Sequence, residues 1–529
     1  MSRTGLSSQN NLASALALSA ALVLPNVAMP ADITLRSADG TVNIVGEFVD
    51  FVDNSYVIKT GLGDIRVSAS RVSCIGDACP TFGTTKADVT LAGSDTLGVG
   101  IMPLLLSGYA ASRGALATIT STGDGNGTLA EMVADEGFGE PMGAYLVSSS
   151  SSADAFEALL DGSAAIGMSA RRILPEEARA LRSEGAGNMI DPSQEHILAL
   201  DTLVVIVHPN NPVETLTLDQ LRSIYAGQIT NWVDVGGNDA PITIVNHAQG
   251  SDTRDVFNNT VFNSDIPAVP TSGIVAQNNN DMAATVNSDV NAIGYSGFAF
   301  QRGAQPVKLI NECGLSMTPD SFSARTEEYA LQRPLYLYNK DNSDPAVRRF
   351  LDYAISPPAE EVITKAGFIN LGVDRRAQAA DSDRAAQLND RNVDAFEGNV
   401  MQEMSSLMVD FDRLSTTFRF QTGSENLGQR GMLNLERLVR YLEKQPADTT
   451  IMLVGFTDDV GPFQSNRELS IARAEGFRDT LREFAGNRLS GVTMDVAGFG
   501  EIAPAACNIT DQGRRINRRV EVWIRNSAG

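Results

Sequence analysis

Two polar side chains near the end of the chain could together hold a zwitterion. Asp458 directly follows an apolar, strand-like run, and Arg473 lies on a helical segment that could pack back over it. A carboxylate accepts hydrogen bonds from an ammonium group, and a guanidinium offers a forked donor to a carboxylate. The pair therefore predicts a site for a ligand that carries both groups. The alternative is an ordinary surface ion pair, which contributes about 0–1 kcal/mol.

Short loops rich in Gly, Ser and Thr predict a second site, for a small oxyanion. We expect each to run into a helix, whose N-terminus offers unpaired N–H groups and a positive dipole end. A single such loop is usually an N-cap, but several at the ends of α/β strands favour anion binding. The ending Gly-Lys-Ser/Thr is missing, so nucleotide hydrolysis is not predicted. The loops are AGSDTLG (92–98), STGDGNGTLAEM (121–132), GMSARRILPEEA (167–178) and QGSDTRDVFNN (249–259).

Composition narrows the possible functions. The chain has 529 residues, 43% of them hydrophobic, and a formal net charge of −23. This length predicts several domains, and the charge disfavours binding of nucleic acid or anionic membranes by bulk electrostatics. There are only three histidines, and no G-x-S-x-G motif occurs. We therefore predict no enzymatic activity, no cofactor and no metal site.

Residues 1–31 have the pattern of a secretory signal peptide, with Arg3 before an apolar run and small residues before Asp32. The alternative is a buried N-terminal helix. No later run approaches eighteen apolar residues, so no transmembrane segment is predicted in the mature chain. These features predict export to the periplasm.

Four cysteines remain in a compartment that permits disulfides. Cys74 and Cys79 are close enough in sequence to close a small loop, and we predict a disulfide between them. A zinc site is the rival interpretation, but no histidine lies near this pair. The pairing of Cys313 and Cys507 stays open, because four cysteines allow three connectivities.

The pattern of apolar residues predicts a multi-domain chain. After the signal peptide, alternating residues and turns predict a small β module at 32–82. Apolar strands between helical periods predict an α/β domain at 86–372, and a charged, Ala-rich stretch predicts a solvated, partly helical linker at 373–409. An α+β domain at 410–529 is predicted, in the order β-α-β-α-β-β.

The last domain resembles the OmpA-like peptidoglycan-binding family. The motifs are GFTDDVGPFQSNRELSIARAEGFRDTL (455–481), GFGEIAP (498–504) and NITDQGRRINRRVEVWI (508–524). The resemblance implies that Asp458 binds the ammonium and Arg473 the carboxylate of the diaminopimelate in Gram-negative peptidoglycan. Four further residues are implied to line the pocket, namely Thr457, Asn466, Asn517 and Arg518. Phe456 departs from the family, which often has His there.

The central domain resembles the PstS-like solute-binding proteins of bacterial phosphate importers. AGSDTL, AAIGMSARRILPEEA, LRSIYAGQITNW, GSDTRDVF and AIGYSGFAF carry the resemblance. It implies a two-lobed α/β periplasmic-binding-protein fold whose lobes close on an anion, with crossover strands near 200–207 and 292–298. The implied anion-binding residues are Ser94, Thr96, Leu97, Gly127, Thr128, Ser169, Arg171, His247, Ser251 and Thr253.

Two departures from that family lie in the second-lobe loop. His247 stands where the family usually has Arg, and Asp252 replaces the Gly of Ser-Gly-Thr. A histidine with the usual pKa of ~6.5 can be neutral, so we expect bound anion to favour its protonated form. Asp252 adds a negative charge nearby, which leaves the identity of the anion open.

Together these features predict a periplasmic binding protein for phosphate or a related oxyanion, held non-covalently on peptidoglycan and associated with the outer membrane. An ABC permease is a candidate partner. The alternative is a structural linker of the cell envelope whose solute-binding domain is degenerate.

Overall fold

The computed structural model describes residues 32–37, 42–52, 55–61, 63–68, 72–76, 78–79, 87–122, 127–262, 273–341, 343–378, 382–388, 393–419, 427 and 429–526. The predicted signal peptide lies outside these residues. The chain forms two compact units, Met1–Thr81 and Phe82–Gly529.

The first unit is a small antiparallel sheet, as the alternating pattern predicts. Its strands are β1 (Asp32–Ser37), β2 (Asn43–Val52), β3 (Ser55–Thr60), β4 (Gly63–Ser68) and β5 (Val72–Ile75). They pair in the order β4-β3-β2-β1-β5. A disulfide joins Cys74 to Cys79, whose Cα atoms are 5.9 Å apart.

The second unit begins with an α/β domain of two lobes. The first lobe contains β6 (Val89–Ser94), α1 (Asp95–Gly98), α2 (Met102–Ser112), β7 (Ala115–Ser121), β8 (Gly127–Val133), α3 (Ala134–Gly137), β9 (Pro141–Ser150), α4 (Ser152–Asp161), β10 (Ile166–Ser169) and α5 (Pro175–Ser183). The strand β11 (Glu195–Val207) then leads into the second lobe.

The second lobe contains β12 (Thr215–Thr217), α6 (Leu218–Tyr225), β13 (Thr243–His247), α7 (Asp252–Val261), β14 (Ile274–Ala276), α8 (Asn279–Ser288), β15 (Ala292–Gly297), β16 (Gln305–Pro306), β17 (Lys308–Ile310), β18 (Ser316–Met317) and α9 (Ser321–Arg325). The strand β19 (Gln332–Asn339) returns to the first lobe, where α10 (Pro345–Ala354) and α11 (Pro357–Lys365) pack.

One eleven-stranded sheet runs through both lobes, in the order β14-β13-β15-β11-β19-β10-β6-β9-β8-β7, with β16 paired to β11. The crossovers are β11, which pairs with β19 and then β15, and β19, which pairs with β11 and β10. The first predicted crossover, 200–207, lies in β11. The second, 292–298, is wrong, because β15 stays inside the second lobe and β19 makes the return.

The described residues of 121–132 lie on two paired strands rather than at the predicted start of a helix. β7 and β8 pair antiparallel, and β8 continues onto β9, where Gly127 lies opposite Ser148. Gly127 and Thr128 therefore lie on a strand and do not begin a helix. β8 is paired on both sides, with β7 over 128–133 and with β9 over 127–133, which explains the strand.

From residue 411 onward the C-terminal domain has the predicted order with one added helix, at 511–517, and one strand and two helices precede residue 411. Its elements are β20 (Arg375–Ala377), α12 (Ser382–Gln387), α13 (Ala395–Asp410), β21 (Phe411–Arg419), α14 (Gln429–Leu442), β22 (Thr450–Gly455), α15 (Phe463–Ala485), β23 (Thr493–Gly498), α16 (Asp511–Asn517) and β24 (Arg519–Arg525). The sheet order is β20-β21-β24-β22-β23.

The described part of 373–409 is not the solvated linker that its charge suggested. β20 adds a strand to the C-terminal sheet, and α13 buries Val400, Met404 and Met408 against that sheet. These residues repeat every four positions on one helix face, which is the spacing of a buried stripe. The segment is therefore part of the C-terminal domain's packing.

The C-terminal domain is fastened to the second lobe. A disulfide joins Cys313 to Cys507, with Cα atoms 5.5 Å apart. Glu327 pairs with Arg419 at 2.9 Å and with Arg430 at 2.8 Å. Burial acts to raise the pKa of Glu327, but the two guanidinium groups outweigh it and lower the pKa. The pairing left open in the sequence is thus a covalent link between domains.

Candidate functional site

The starts of three helices and one arginine meet between the lobes. Ser94 and Thr96 lie where β6 leads into α1, Ser152 begins α4 after β9, and Thr253 lies in the first turn of α7. β6 runs parallel to β9, so the carboxyl ends of these strands lie at one edge of the sheet, where α/β domains bind ligands. Arg333 on β19 reaches this edge.

Arg333 is the centre of the cleft between the lobes. Its Nη2 donates to Thr96 Oγ1 from the first lobe and to Thr253 Oγ1 from the second, each at 3.2 Å. Its Nε and Nη2 donate to Asp201 Oδ2 at 3.1 and 2.8 Å. Asp201 on β11 is fully buried and Arg333 is 3% exposed. This ion pair therefore connects both crossover strands with both lobes.

Two donors in the cleft have no hydrogen-bond partner. Ser94 Oγ and Arg333 Nη1 are both buried, and neither bonds to a residue that the structure describes. A buried donor without a partner costs about 1–3 kcal/mol. The two atoms together are suited to an acceptor that comes from outside the chain.

A carboxylate of the chain already fills part of the cleft. Asp252, at the start of α7 in the second lobe, accepts hydrogen bonds from Ser152 N at 3.1 Å and from Ser152 Oγ at 2.7 Å. Ser152 starts α4 in the first lobe, and a helix start favours a negative group. Asp252 therefore takes donors that a bound anion could use, and it links the two lobes directly.

Three carboxylates lie around Arg333. Asp201 is its ion-pair partner, and Asp95 is close enough to interact with both Arg333 and Asp252. Burial raises the pKa of Asp95, which Arg333 counteracts and Asp252 reinforces. An incoming anion must therefore compete with Asp252, or one carboxylate must bind a proton.

His247 does not titrate near neutrality as the sequence suggested. Its ring is 1% exposed, and Nε2 lies 3.0 Å from the carbonyl oxygen of Tyr295. Burial lowers the pKa of His247 to about 4, the Tyr295 bond opposes the shift, and the charge of Arg333 adds to it. The ring is neutral at physiological pH, with Nε2 donating to Tyr295.

Of the remaining predicted ligands, Ser169 and Arg171 bond to neighbouring residues of the chain. Ser169 Oγ donates to the carbonyl oxygen of Arg171 at 2.6 Å, and the Arg171 guanidinium pairs with Glu177 at 2.6 Å. Leu97 is fully buried in α1, where only its backbone could serve a ligand. Ser251 precedes α7 without a side-chain capping bond.

Arg333, Asp201 and Ser152 were missed in the sequence, although each had a signal. Arg333 and Asp201 are single charges inside the apolar runs LQRPLYLY and LALDTLVVIV. A charge inside a buried strand is rare unless it is paired. Ser152 ends a run of serines that starts at Ser148 and directly precedes a helical pattern.

A cavity of about 370 Å³ opens beside this cleft, within the ~300–1,000 Å³ range of small-molecule sites. Its wall joins Asp95 and Ser149 of the first lobe to the amide side chains at 277–280, where α8 begins. The open space between the lobes therefore extends beyond the hydrogen-bond donors around Arg333.

The C-terminal pocket brings its predicted residues together in a different pairing. Asp458 accepts a hydrogen bond from Arg518 Nη1 at 2.6 Å, whereas Arg473 Nη1 is buried without a partner among the described residues. Burial lowers the pKa of Arg473, against the attraction of Asp458 and together with the repulsion of Arg518. Thr457 Oγ1 is also buried without a partner. The pocket therefore offers a guanidinium whose Nη1 has no hydrogen-bond partner among the described residues.

Asn466 and Asn517, which were predicted to line the pocket, hydrogen-bond to neighbouring parts of the chain. Asn466 Nδ2 donates to the carbonyl oxygen of Asp458 at 3.3 Å and to Glu501 at 2.5 Å. Asn517 is fully buried, and its side chain bonds to Ala505 N, Ala506 N and Ala506 O. That Asn517 lines the pocket stays a prediction, and in the structure its side chain bonds to the 505–508 loop.

Within the described residues, no cluster of His, Cys, Asp and Glu has the geometry to hold a metal ion, and no helix is long and apolar enough to span a membrane.

Comparison with known proteins identifies two domains. Residues 83–358 match the PBP superfamily domain, and residues 419–518 match the OmpA family. The phosphate-binding protein PstS of Bacillus subtilis is 27% identical over 176 residues, which is 33% of this chain and 57% of that protein. PstS of Pseudomonas aeruginosa is 27% identical over 248 residues, 42% of this chain and 73% of that protein.

An ABC-type phosphate transport receptor from Vibrio cholerae is 26% identical, with a TM-score of 0.40, over 53% of this chain and 99% of that one. The aligned region spans 57% of the Bacillus subtilis protein and 66% of the Borreliella burgdorferi PstS, so it leaves over a third of each outside the match.

Proposed function

We propose that the central domain of this chain binds phosphate or a related small oxyanion in the cell envelope. The chain belongs to the PBP superfamily through residues 83–358 and also carries an OmpA domain. The anion lies between the lobes, and the C-terminal domain holds the protein on peptidoglycan. The protein is a binding protein and performs no reaction.

The observation that carries the anion site is the pair of unpartnered donors, Ser94 Oγ and Arg333 Nη1, at the meeting point of both lobes. Thr96 and Thr253 already face the same guanidinium. An oxyanion with several acceptor atoms could satisfy both donors and displace the Asp252 carboxylate from Ser152. The names of the PstS relatives favour phosphate as the first anion to test.

The test is calorimetric titration of the mature chain with phosphate and with sulfate. We expect saturable binding that Ser94→Ala weakens about tenfold, because one hydrogen bond to a charged group contributes roughly 1.5 kcal/mol. Ser163→Ala, a change at an exposed serine of the same lobe, is the matched control. Equal binding by the Ser94→Ala variant and the parent would place the anion elsewhere.

The second candidate function is a structural linker whose cleft no longer binds a solute. The Asp252 carboxylate on Ser152 favours it, since the chain supplies its own anion there. Absence of phosphate and sulfate binding, both in the parent and in Asp252→Asn, would support this alternative.

Peptidoglycan anchoring rests on the C-terminal pocket. The buried, unpartnered Arg473 Nη1 is suited to a carboxylate, and Asp458 lies close enough to receive an ammonium from the same ligand. The diaminopimelate unit carries both groups. Co-sedimentation of the mature chain with purified diaminopimelate-type peptidoglycan tests this, and a chain that stays in the supernatant contradicts it.

A further inference from the structure

A second cleft lies between the central domain and the C-terminal domain, away from both sites described above. It has a volume of about 450 Å³ and lies between α11, the segment 370–374 and α14. Small-molecule sites have ~300–1,000 Å³ and often lie between domains. The cleft is therefore large enough for a molecule of the size of a sugar or an organic acid.

Three cations in and just after the last part of α14 line this cleft. Arg437, Arg440 and Tyr441 lie on α14, and Lys444 follows two residues after its end. Residues three and four apart share one face of an α-helix, as Arg437 does with Arg440 and Tyr441. Three positive groups and an aromatic ring therefore stand along one wall, in a chain whose net charge is −23.

These cations lack full partners among the residues that the structure describes. Arg437 makes no hydrogen bond or ion pair there. Arg440 Nε is buried without a hydrogen bond, and its nearest carboxylate is that of Glu436 at 3.8 Å. The exposed Lys444 also has no ion pair within the described ranges.

The carboxylates of the cleft are mostly engaged elsewhere. Asp374 pairs with Arg325, and Glu443 pairs with Arg488 at 2.8 Å. Glu360 acts on Arg437 at a distance without forming an ion pair. Burial lowers the pKa of Arg437 to about 9 despite Glu360. The chain therefore leaves a half-buried positive charge uncompensated.

We propose that this cleft binds a small organic anion, which presents a carboxylate or phosphate to Arg437 and Arg440 and rests its body on Tyr441. The shared chemistry is an oxyanion held by forked guanidinium donors. The assignment is independent of the interlobe site.

The helix dipole offers a simpler reason for part of this arrangement. Cations near a helix C-terminus are stabilised by the dipole, which accounts for Arg440 and Lys444. It does not account for Arg437, because the dipole effect falls off within the last turn and this side chain is half-buried. Arg437 is therefore the residue on which the test depends.

Calorimetric titration of the mature chain with citrate and with glucose 6-phosphate tests the proposal, with glucose as the neutral control. We expect one or both anions to bind, and Arg437→Met to weaken binding by about tenfold or more, as loss of a forked charged contact requires. Arg478→Met, on α15 outside the cleft, and Thr253→Val, in the interlobe site, should each change the affinity less than twofold. Binding of citrate alone or of glucose 6-phosphate alone identifies the acidic group that the site accepts.

The melting temperature measured without ligand distinguishes a loss of binding from a loss of folding. Arg437→Met removes a partly buried cation that has no partner, so its melting temperature without anion should equal or exceed that of the parent. A lower melting temperature would show that Arg437 is a structural cation and would overturn the proposal. So would equal anion binding by the Arg437→Met variant and the parent, or no binding of either anion up to on the order of 10 mM.

Discussion

The interlobe cleft and the C-terminal pocket each contain an arginine with a buried, unpartnered Nη1, but their surroundings differ. Arg333 is paired with Asp201, and Asp95 also acts on it, whereas the carboxylate that acts on Arg473 among the described residues, Asp458, is bonded to Arg518. The first arginine has an ion-pair partner of its own, and the second shares its neighbouring carboxylate with another arginine. The comparison shows that a donor set alone does not define a binding site, because the neighbouring charges decide whether it is open.

Because of this difference, we expect Arg333 to contribute mainly to the stability of the fold and Arg473 mainly to ligand binding. Arg333 compensates a buried carboxylate and ties the lobes together, so it serves the fold even without a ligand. Arg473 lies near Asp458, but Asp458 already accepts a hydrogen bond from Arg518, so removal of Arg473 should weaken ligand binding more than the fold. Substitution of each arginine tests this distinction, and changes at His247 and Asp252 test the surroundings of the interlobe cleft.

Arg333→Met should destabilise the protein by about 3–5 kcal/mol, because it leaves Asp201 buried without a counter-charge. Urea unfolding of the mature chain, monitored by circular dichroism, measures the change. The double variant Arg333→Met/Asp201→Asn should recover more than half of the loss. A single variant as stable as the parent would show that the two arginines do not differ in this way.

Arg473→Met should abolish co-sedimentation with diaminopimelate-type peptidoglycan, a loss of about tenfold or more, since a forked contact to a carboxylate disappears. Its melting temperature should not fall, because burial already disfavours the charge. Arg478→Met lies on the same helix and serves as the control for net charge. Retained binding by Arg473→Met, with Arg478→Met unaffected, would assign the carboxylate to another residue.

His247 should make stability depend on pH in the acid range. Its pKa is lowered to about 4 in the folded chain and is ~6.5 when unfolded, so only the unfolded state takes up a proton between these values. Stability is therefore fully present above pH ~6.5 and is lost as pH falls towards 4, by about 2 kcal/mol between pH 7 and pH 5. Unfolding of the parent and of His247→Gln at both pH values measures this contribution.

The same prediction has a direct spectroscopic check. Proton NMR of the His247 ring should show no titration between pH 5.5 and 8, with or without phosphate. A midpoint inside that range would mean that the ring reaches the anion and carries charge there.

Asp252→Asn should strengthen phosphate binding by about tenfold, because removing the competing charge frees Ser152 at the start of α4. Asp255→Asn removes one negative charge from the same helix without touching Ser152, and it should change affinity less than threefold. Equal gains in both variants would show that Asp252 acts on affinity through its charge and not through its contact with Ser152.

Local and repeated patterns were predictable from the sequence. The order of elements in the C-terminal domain, apart from α16, followed from apolar residues at strand and helix spacing, and the first unit followed from alternating apolar residues between turns. The first crossover lies in the predicted part of β11, because its apolar run LVVIV is typical of a strand buried on both faces.

Long-range pairings were not predictable in the same way. Arg333 and Asp201 are 132 residues apart, and nothing local shows that each is the other's partner. Choosing β15 over β19 as the returning crossover failed because both strands are apolar and only sheet order distinguishes them. In α13, charged and Ala-rich neighbours masked a buried stripe that the four-residue spacing of Val400, Met404 and Met408 contains.

The bridge between Cys313 and Cys507 also sets how mechanical load passes through the molecule. It joins two points 194 residues apart in sequence, so a pull on the C-terminal domain reaches the second lobe covalently at Cys313. The chain between the two cysteines, which includes β19, is a second covalent route, so the strand that carries Arg333 shares the load with the bridge.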